Sequence, residues 1–332
     1  MIKEGSRYDV VTWGEGFLRF TPKGGERFEQ ADGFDVGVAG GAVETVVGLA
    51  RLGLRTVWLS VVGDTPLGVK VANKVREHGV DTRYVEQVLD GRTGLCYTEQ
   101  GGAPRATHSW YDMKDTAFRT TAPEKVDWSS VHEASIFHVD FTGPMLDSVN
   151  TEWMKVVLAT AQTLNAKVSV LLDISDEQNL NADEEKSLMD LVETAGIFVV
   201  TLRALKKIWG FNGSLSTVPK MIQARFSAKN TAVVEPWNSV SSKGTWSGIS
   251  ISQSGEVFEE NVNDIQVVDS GGSLGAFAAG YLFGCLHNGA CSGLRYGNAA
   301  AALTYSVPGS LNWFTRQDLV SQIEGTVSRL QR

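Results

Sequence analysis

The sequence has few cysteines and no long apolar run, and both absences exclude classes of protein. Its three cysteines, Cys96, Cys285 and Cys291, are odd in number and are not spaced as a zinc site requires. They predict buried, reduced side chains. Residues 1–9 lack the apolar core of a secretion signal, and no apolar stretch has the length of a membrane span. We therefore expect a cytoplasmic protein.

Positive charge is also scarce. The 332 residues include 30 Lys and Arg against 38 Asp and Glu, which gives a formal net charge of −8. No basic run provides the patch that binds DNA, RNA or an anionic membrane. We therefore expect neither nucleic acid nor a membrane as a partner. Apolar residues make up 42%, enough for a large buried core.

Short apolar runs alternate with amphipathic stretches along most of the chain. Strands are predicted at residues 8–13, 55–62, 134–139, 168–172, 197–200 and 231–234. Helices are predicted at residues 43–52, 67–78, 152–164 and 184–194. This alternation is typical of a doubly wound α/β fold, a mostly parallel sheet with helices on both faces.

Two segments, at about residues 15–36 and 91–120, break the alternation. They have the pattern of short strands and turns, and residues 93–100 followed by Gly101 predict a hairpin. We expect a single domain over residues 1–332 in which these segments form a small β lid. The lid would cover the carboxyl edge of the main sheet, where open α/β folds bind ligands.

The most specific motif is VDSGGSLGAFAAG at residues 268–280. It resembles the signature of the ribokinase (PfkB) family of sugar kinases: an Asp, a glycine-rich turn, a second Asp, then x-Phe-x-x-Gly. Other motifs follow the family order over nearly the whole chain, at residues 14–15, 40–41, 48–53, 63–68, 78–82, 92–94, 298–303 and 307–309. The GE and RFTP sequences within residues 14–22 and the YD at 111–112 are most similar to the 2-keto-3-deoxygluconate kinases.

The resemblance implies a site for ATP and Mg²⁺ beside a cleft for a small carbohydrate. Backbone N–H groups at the start of the helix would bind phosphate, and Ser273 could cap that helix. The expected anion or nucleotide contacts are Asp269, Gly271, Gly272, Ser273 and Gly275. The expected sugar-cleft residues are Glu15, Gly40, Gly41, Glu44, Arg92, Arg105 and Tyr111. Relatives often pair through the lid, so a homodimer is expected.

The usual catalytic position departs from the family pattern. Relatives have an Asp that takes the proton of the acceptor hydroxyl, whereas this chain has Gly275, in a register fixed by Phe277 and Gly280. Glycine has no proton acceptor, and loss of a positioned base costs about 10²–10⁴-fold in rate. No catalytic residue and no metal ligand is therefore assigned.

Further substitutions affect both sides of the expected site. Where relatives have an Asn and an Arg for the sugar, this chain has Glu44 and Met113. The nucleotide and phosphate side differs at three segments, 173–177 (DISDE), 201–204 (TLRA) and 235–237 (EPW). His138 and Asp140 are too few for a metal site, and His138 is expected to be buried and hydrogen-bonded. No Walker A motif or nucleophile elbow is present.

Together these losses predict a catalytically impaired homologue that retains a ligand-binding, regulatory or structural role. An alternative is an active ATP-dependent kinase of a keto-sugar acid, with Asp269 or Asp264 as the replacement base. A third hypothesis is a changed reaction that uses Glu44 or Glu177, which requires a carboxylate of raised pKa in a closed cleft. A carboxylate within hydrogen-bond reach of the helix start at Gly275 would favour an active enzyme.

Overall fold

The structure of the protein is a computed structural model that describes residues 5–102, 104–142, 166–175, 179–226, 229–236 and 243–325, with 153, 156, 157, 159, 160 and 163. The strands are β1 Tyr8–Trp13, β2 Phe17–Pro22, β3 Phe34–Ala39, β4 Thr56–Asp64, β5 Val85–Leu89, β6 Leu95–Glu99, β7 His108–Asp112, β8 Ala134–Phe141, β9 Lys167–Leu172, β10 Ile197–Thr201, β11 Asn230–Glu235, β12 Lys243–Ile251 and β13 Val257–Gln266. The helices are α1 Gly41–Arg51, α2 Pro66–Arg76, α3 Ala117–Thr120, α4 Ser129–His132, α5 Ala182–Thr194, α6 Leu202–Trp209, α7 Val218–Arg225, α8 Ser273–Tyr305 and α9 Arg316–Ile323. The predicted helix at 152–164 lies mostly outside the described residues.

The main sheet has nine strands in the order β13-β12-β11-β10-β9-β8-β1-β4-β5. Strands β5, β4, β1, β8, β9, β10 and β11 are parallel, whereas β12 and β13 add an antiparallel hairpin at one edge. Strands β1, β8 and β10 are buried along their whole length, as expected of apolar strands covered on both faces. The fold is therefore the doubly wound α/β architecture that the alternation predicts.

A second sheet of four strands, in the order β3-β2-β6-β7, comes from the two segments that break the alternation. Its strands lie within 15–39 and 91–112, so β3 extends three residues beyond the predicted lid boundary. Alternate side chains of this sheet, including Arg19, Thr98, Ser109 and Tyr111, line a cavity at the carboxyl edge of the main sheet. The small sheet is thus a wall of that cavity.

Helices α1 and α8 pack closely enough to bring residues from the two ends of the sequence together. A Cβ atom added at Gly48 would lie 2.7 Å from the Cβ of Ala279, so only glycine permits this separation. The Asn312 amide donates to the carbonyl of Glu44 at 2.7 Å and holds the same region of α1. The amino-terminal turn of α1 consequently lies against that of α8.

The cysteines and His138 were predicted to be buried; the structure confirms this for His138 but not for all three cysteines. All three cysteines are free thiols, but only Cys96 is buried; Cys285 is half-buried and Cys291 is exposed, on either side of the kink in α8 at residues 288–289. His138 is fully buried and hydrogen-bonded to the Ser169 hydroxyl at 3.0 Å, as expected. Within the described residues, no helix is both long enough and apolar enough to span a bilayer.

Candidate active site

A cavity of about 780 Å³ lies between the small sheet and the carboxyl edge of the main sheet. That volume lies within the range of about 300–1,000 Å³ that is usual for small-molecule sites. Its wall is rich in hydroxyl groups, from Thr98, Thr107, Ser109, Tyr111, Thr142, Ser175, Ser270, Ser273 and Ser310. A wall with this many hydroxyl groups suits a ligand that itself carries several hydroxyl groups.

The glycine-rich turn before α8 forms one end of the cavity. Gly272 has a φ of +76°, and a Cβ atom there would lie 1.9 Å from the carbonyl oxygen of Ser310. Ser273 is the first residue of the helix and not its cap; its hydroxyl instead donates to the carbonyl of Ser270 at 3.1 Å. The expected cap is therefore wrong. No side chain caps the first N–H groups of α8, which leaves them available to an anion.

A buried ion pair, which the sequence analysis did not identify, lies behind the turn. Arg19 of β2 donates to both carboxylate oxygens of Asp269 at 2.9 Å, and the two side chains are only 6% and 4% exposed. Asp269 also accepts the backbone N–H groups of Gly271 and Gly309, each at 2.9 Å. A carboxylate occupied in this way shapes the turn and does not accept a substrate proton. The only sequence signal for this pair was Arg19 itself, the first residue of RFTP.

The second suggested replacement base is also misplaced. Asp264 is exposed on β13 and is absent from the cavity wall, because β13 is the outermost strand of the main sheet. Glu177, suggested for a changed reaction, lies outside the described residues, as do Asp176 and Trp237. Of the described carboxylates suggested from the sequence as an acid or base, Glu44 alone lines the cavity.

Glu44 of α1 occupies the space next to Gly275 of α8. A Cβ atom added at Gly275 would lie 2.5 Å from the Cβ of Glu44 and 3.1 Å from its Oε2. At this separation of α1 and α8, a side chain at position 275 would clash with Glu44. The other oxygen of the carboxylate, Oε1, accepts the backbone N–H of Gly40 at 3.3 Å.

Two neighbouring carboxyl groups at this point favour their neutral forms. Burial, with the charges of Asp140 and Asp269, raises the pKa of Glu44 to about 8, against the lowering effects of the Gly40 N–H and Arg19. Burial likewise raises the pKa of Asp140 to about 7, although Thr142 donates to it twice. Asp140 Oδ2 has no hydrogen-bond partner among the described residues. A carboxyl group of raised pKa in a cavity is what acid or base catalysis by Glu44 would require.

Asp173, Thr201 and Arg203 form a network at another part of the wall. The Thr201 hydroxyl donates to Asp173 at 2.6 Å and also caps α6, while Arg203 Nη2 donates to the same carboxylate at 2.5 Å. The Arg203 side chain is 45% exposed, and this is its only hydrogen bond among the described residues. Residues 201–204 depart from the family pattern on the phosphate side of the site. They nevertheless place the guanidinium of Arg203 in the cavity, with N–H groups that bond to no other described residue.

The other expected sugar-cleft residues divide into two groups. Gly40, Gly41 and Tyr111 line the cavity, and Gly41 lets the Asp140 carboxylate approach α1, since a Cβ there would lie 2.3 Å from Oδ2. Glu15, Arg92 and Arg105, expected in the sugar cleft, do not line the cavity, because each is bonded to residues elsewhere.

Glu15 is 2% exposed and accepts hydrogen bonds from Thr116 at 2.5 Å and Arg119 at 3.3 Å. Arg92 donates to the carbonyls of Asp112 and Lys114, and Arg105 pairs with Glu99 at 2.8 Å. These contacts join the small sheet to the main body or brace its loops. Met113 is likewise buried beneath the small sheet, with Phe17, Ala39 and Cys96, and does not reach the cavity. Glu235 ends β11 on the surface and is also outside the cavity wall.

Comparison with known proteins gives a consistent result. Residues 9–315 match the family model described as pfkB family carbohydrate kinase. The chain is 28% identical to a 2-dehydro-3-deoxygalactonokinase of Haloferax volcanii, over 98% of this chain and 99% of that one. It is 26% identical to a 2-dehydro-3-deoxygluconokinase of Bacillus subtilis, over 95% of each. The crystal structure of a 2-dehydro-3-deoxygluconokinase from Thermotoga maritima superposes with a TM-score of 0.86, at 22% identity, over 96% of this chain and 100% of that chain.

Proposed function

We propose that this chain, which belongs to the pfkB family of carbohydrate kinases, transfers a phosphoryl group from a nucleoside triphosphate to a hydroxyl of a keto-deoxy sugar acid. The observation that carries the proposal is a single cavity that joins an anion-binding helix start to a hydroxyl-lined pocket containing a guanidinium. A Cβ atom at Gly271 or Gly272 would clash with Arg19 or Ser310, so only glycine lets the turn pack in this way. Both glycines line the cavity, next to the uncapped N–H groups at the start of α8.

The nucleotide would bring its Mg²⁺ as part of the substrate. The described residues contain no group of three or more His, Cys, Asp or Glu side chains able to hold a metal ion by themselves. Magnesium usually keeps several water ligands and binds through substrate phosphates with one or two carboxylates. The residues present fit that arrangement better than a metal site built by the protein alone.

Arg203 supports an acidic acceptor. Its guanidinium is held by Asp173 through one N–H, and its remaining donors face a cavity with few other positive groups, since Arg19 is committed to Asp269. A planar guanidinium binds a carboxylate through two parallel hydrogen bonds. The relatives named for 2-dehydro-3-deoxy sugar acids agree with such an acceptor.

The second candidate function is ligand binding without phosphoryl transfer, which the glycine at position 275 favours. Transfer from ATP to 2-keto-3-deoxygluconate, 2-keto-3-deoxygalactonate and neutral ribose distinguishes the two. We expect phosphorylated product from the acids and little from ribose. Calorimetric binding of the acids without any product would favour the second candidate.

The role of Arg203 is tested by Arg203→Met. Because hydrogen bonds to charged groups contribute about 1.5–3 kcal/mol, we expect the KM for the acid to rise about 10- to 100-fold, with KM for ATP less affected. Arg225→Met is the matched control, since Arg225 is exposed and does not line the cavity. Equal KM values for the two variants would contradict the assignment.

A further inference from the structure

We infer that Glu44 of α1 is the general base of the transfer reaction and takes the place of the carboxylate that α8 lacks at Gly275. The inference rests on the proposed function and adds to it the identity of the group that accepts the proton of the acceptor hydroxyl. It is drawn from the position of Glu44 in the cavity and from the commitments of the other carboxylates there.

Among the acidic side chains of the cavity, only Glu44 lacks a cationic partner among the described residues. Only Glu44 and Asp173, of the described residues, line the cavity with a carboxylate. Asp173 is paired with Arg203 and accepts a hydrogen bond from Thr201. Glu44 makes no ion pair with a described residue and accepts one backbone N–H. It is therefore the lining carboxylate that is free to accept a proton.

Glu44 also lies where a base is needed, at the start of α8. The Oε2 atom of Glu44 lies 3.1 Å from the point where a Cβ atom of residue 275 would stand, next to the uncapped N–H groups of α8. An anion bound by those N–H groups would lie beside the carboxylate. A base must come within about 2.6–3.2 Å of the hydroxyl that it deprotonates, and an acceptor between the phosphate and Glu44 meets that condition.

The protonation equilibrium of Glu44 also suits a base. Burial and the neighbouring Asp140 raise the pKa of Glu44 to about 8, close to neutral pH. A base is most effective when its pKa lies near the working pH, because the unprotonated form is then populated and still basic. Asp140 acts through Glu44 and is a positioning residue, not a catalytic one.

The acceptor hydroxyl oxygen forms a bond to the γ-phosphorus while its proton passes to the Glu44 carboxylate. The bond from the γ-phosphorus to the bridging oxygen breaks, and that oxygen leaves with the electron pair on the nucleoside diphosphate. Glu44 then releases the proton to solvent, so no oxidant, reductant or further reactant is required.

The test moves the carboxylate from one helix to the other. Glu44→Gln keeps the size of the side chain and an oxygen for the Gly40 N–H, and we expect kcat to fall about 10²–10⁴-fold with both KM values within a few-fold. Gly275→Asp alone should be inactive or poorly folded, since its Cβ would lie 2.5 Å from that of Glu44. The double variant Glu44→Gly/Gly275→Asp, which removes the clash and restores a carboxylate, should regain at least 10-fold over Glu44→Gly, in line with the rate effect of a positioned base.

The outcomes separate this inference from the proposed function. An active wild-type protein whose Glu44→Gln variant keeps its rate within about threefold would overturn the assignment of Glu44 and leave the kinase proposal standing. A double variant no faster than Glu44→Gly, with both proteins folded by thermal melting, would also count against it. A wild-type protein that phosphorylates none of the acceptors would overturn both.

Discussion

Replacing Glu44 by glutamine should stabilise the folded protein at alkaline pH and not at acidic pH. The pKa of Glu44 is raised by burial from 4.5 to about 8. Between those two values the folded protein holds a proton that the unfolded chain has released, so the free energy of unfolding falls as pH rises. The loss is complete only above about pH 8, where the buried side chain is ionised.

The size of the effect follows from the shift. Each pKa unit corresponds to about 1.36 kcal/mol, so the ionised Glu44 costs the folded state at most about 5 kcal/mol. Glutamine does not titrate, and it can still accept the Gly40 N–H that now reaches Oε1. Asp140 titrates in both proteins, so its contribution cancels from their difference to first order.

Urea unfolding of the wild type and Glu44→Gln at pH 4 and pH 9 measures this difference. We expect similar stabilities at pH 4 and a variant several kcal/mol more stable at pH 9. Glu124→Gln, at an exposed position, is the control and should show no such dependence on pH. A difference between wild type and Glu44→Gln that stays constant from pH 4 to pH 9 would refute the raised pKa.

Three further perturbations test other parts of the structure. Arg19→Met leaves buried Asp269 unpaired and should cost about 3–5 kcal/mol of stability. Arg83→Met removes a largely exposed ion pair and should cost at most about 1 kcal/mol. Equal losses of stability would contradict the role of the Arg19–Asp269 pair in the turn. Gly41→Ala places a Cβ 2.3 Å from Asp140 Oδ2 and should lower the melting temperature, unlike Gly37→Ala, where nothing lies within 4 Å. We propose that two copies of the chain pair through the small sheet. Sedimentation should then show a dimer, and Trp110→Asp, at a half-exposed aromatic residue, should dissociate it. A wild-type monomer would contradict the proposal.

Strands and helices that repeat an apolar pattern could be predicted from the sequence. Strand β1 has the predicted limits, Tyr8–Trp13, because it is a largely apolar run that is buried along its whole length. The hairpin of β12 and β13 was not predicted. Strand β13 alternates exposed and half-buried side chains at the edge of the sheet, so it lacks the apolar run by which the central strands were recognised.

The candidate site was only partly predictable. A motif shows which family residue is absent, but it does not show which side chain fills the space in its place. Gly275 was identified from its register between fixed neighbours. That Glu44 fills the adjacent space depends on the close packing of α1 and α8, two elements more than 200 residues apart in sequence. Arg203 was not predicted as a site residue for the same reason. The orientation of its side chain is set by contact with Asp173, which follows a neighbouring strand.

Arg92 and Arg105 show the converse difficulty. Their position in the small sheet suggested that they face the cleft, yet nearby backbone carbonyls and Glu99 offered them closer partners. A long cationic side chain near a cavity binds whichever acceptor the fold brings within reach, and sequence position alone does not identify that acceptor.

The measurement that most directly tests the central claim, that Glu44 deprotonates the acceptor, is the pH dependence of kcat for phosphoryl transfer to 2-keto-3-deoxygluconate. The charged or titratable groups that face Glu44 are Arg19, Asp140 and Asp269, with Cys96 and Tyr111 across the cavity. We predict a rate that rises with pH to a plateau, with an inflection at about 8 that moves to lower pH in Asp140→Asn. A rate independent of pH between 6 and 9, or an inflection that Asp140→Asn leaves in place, would contradict the claim.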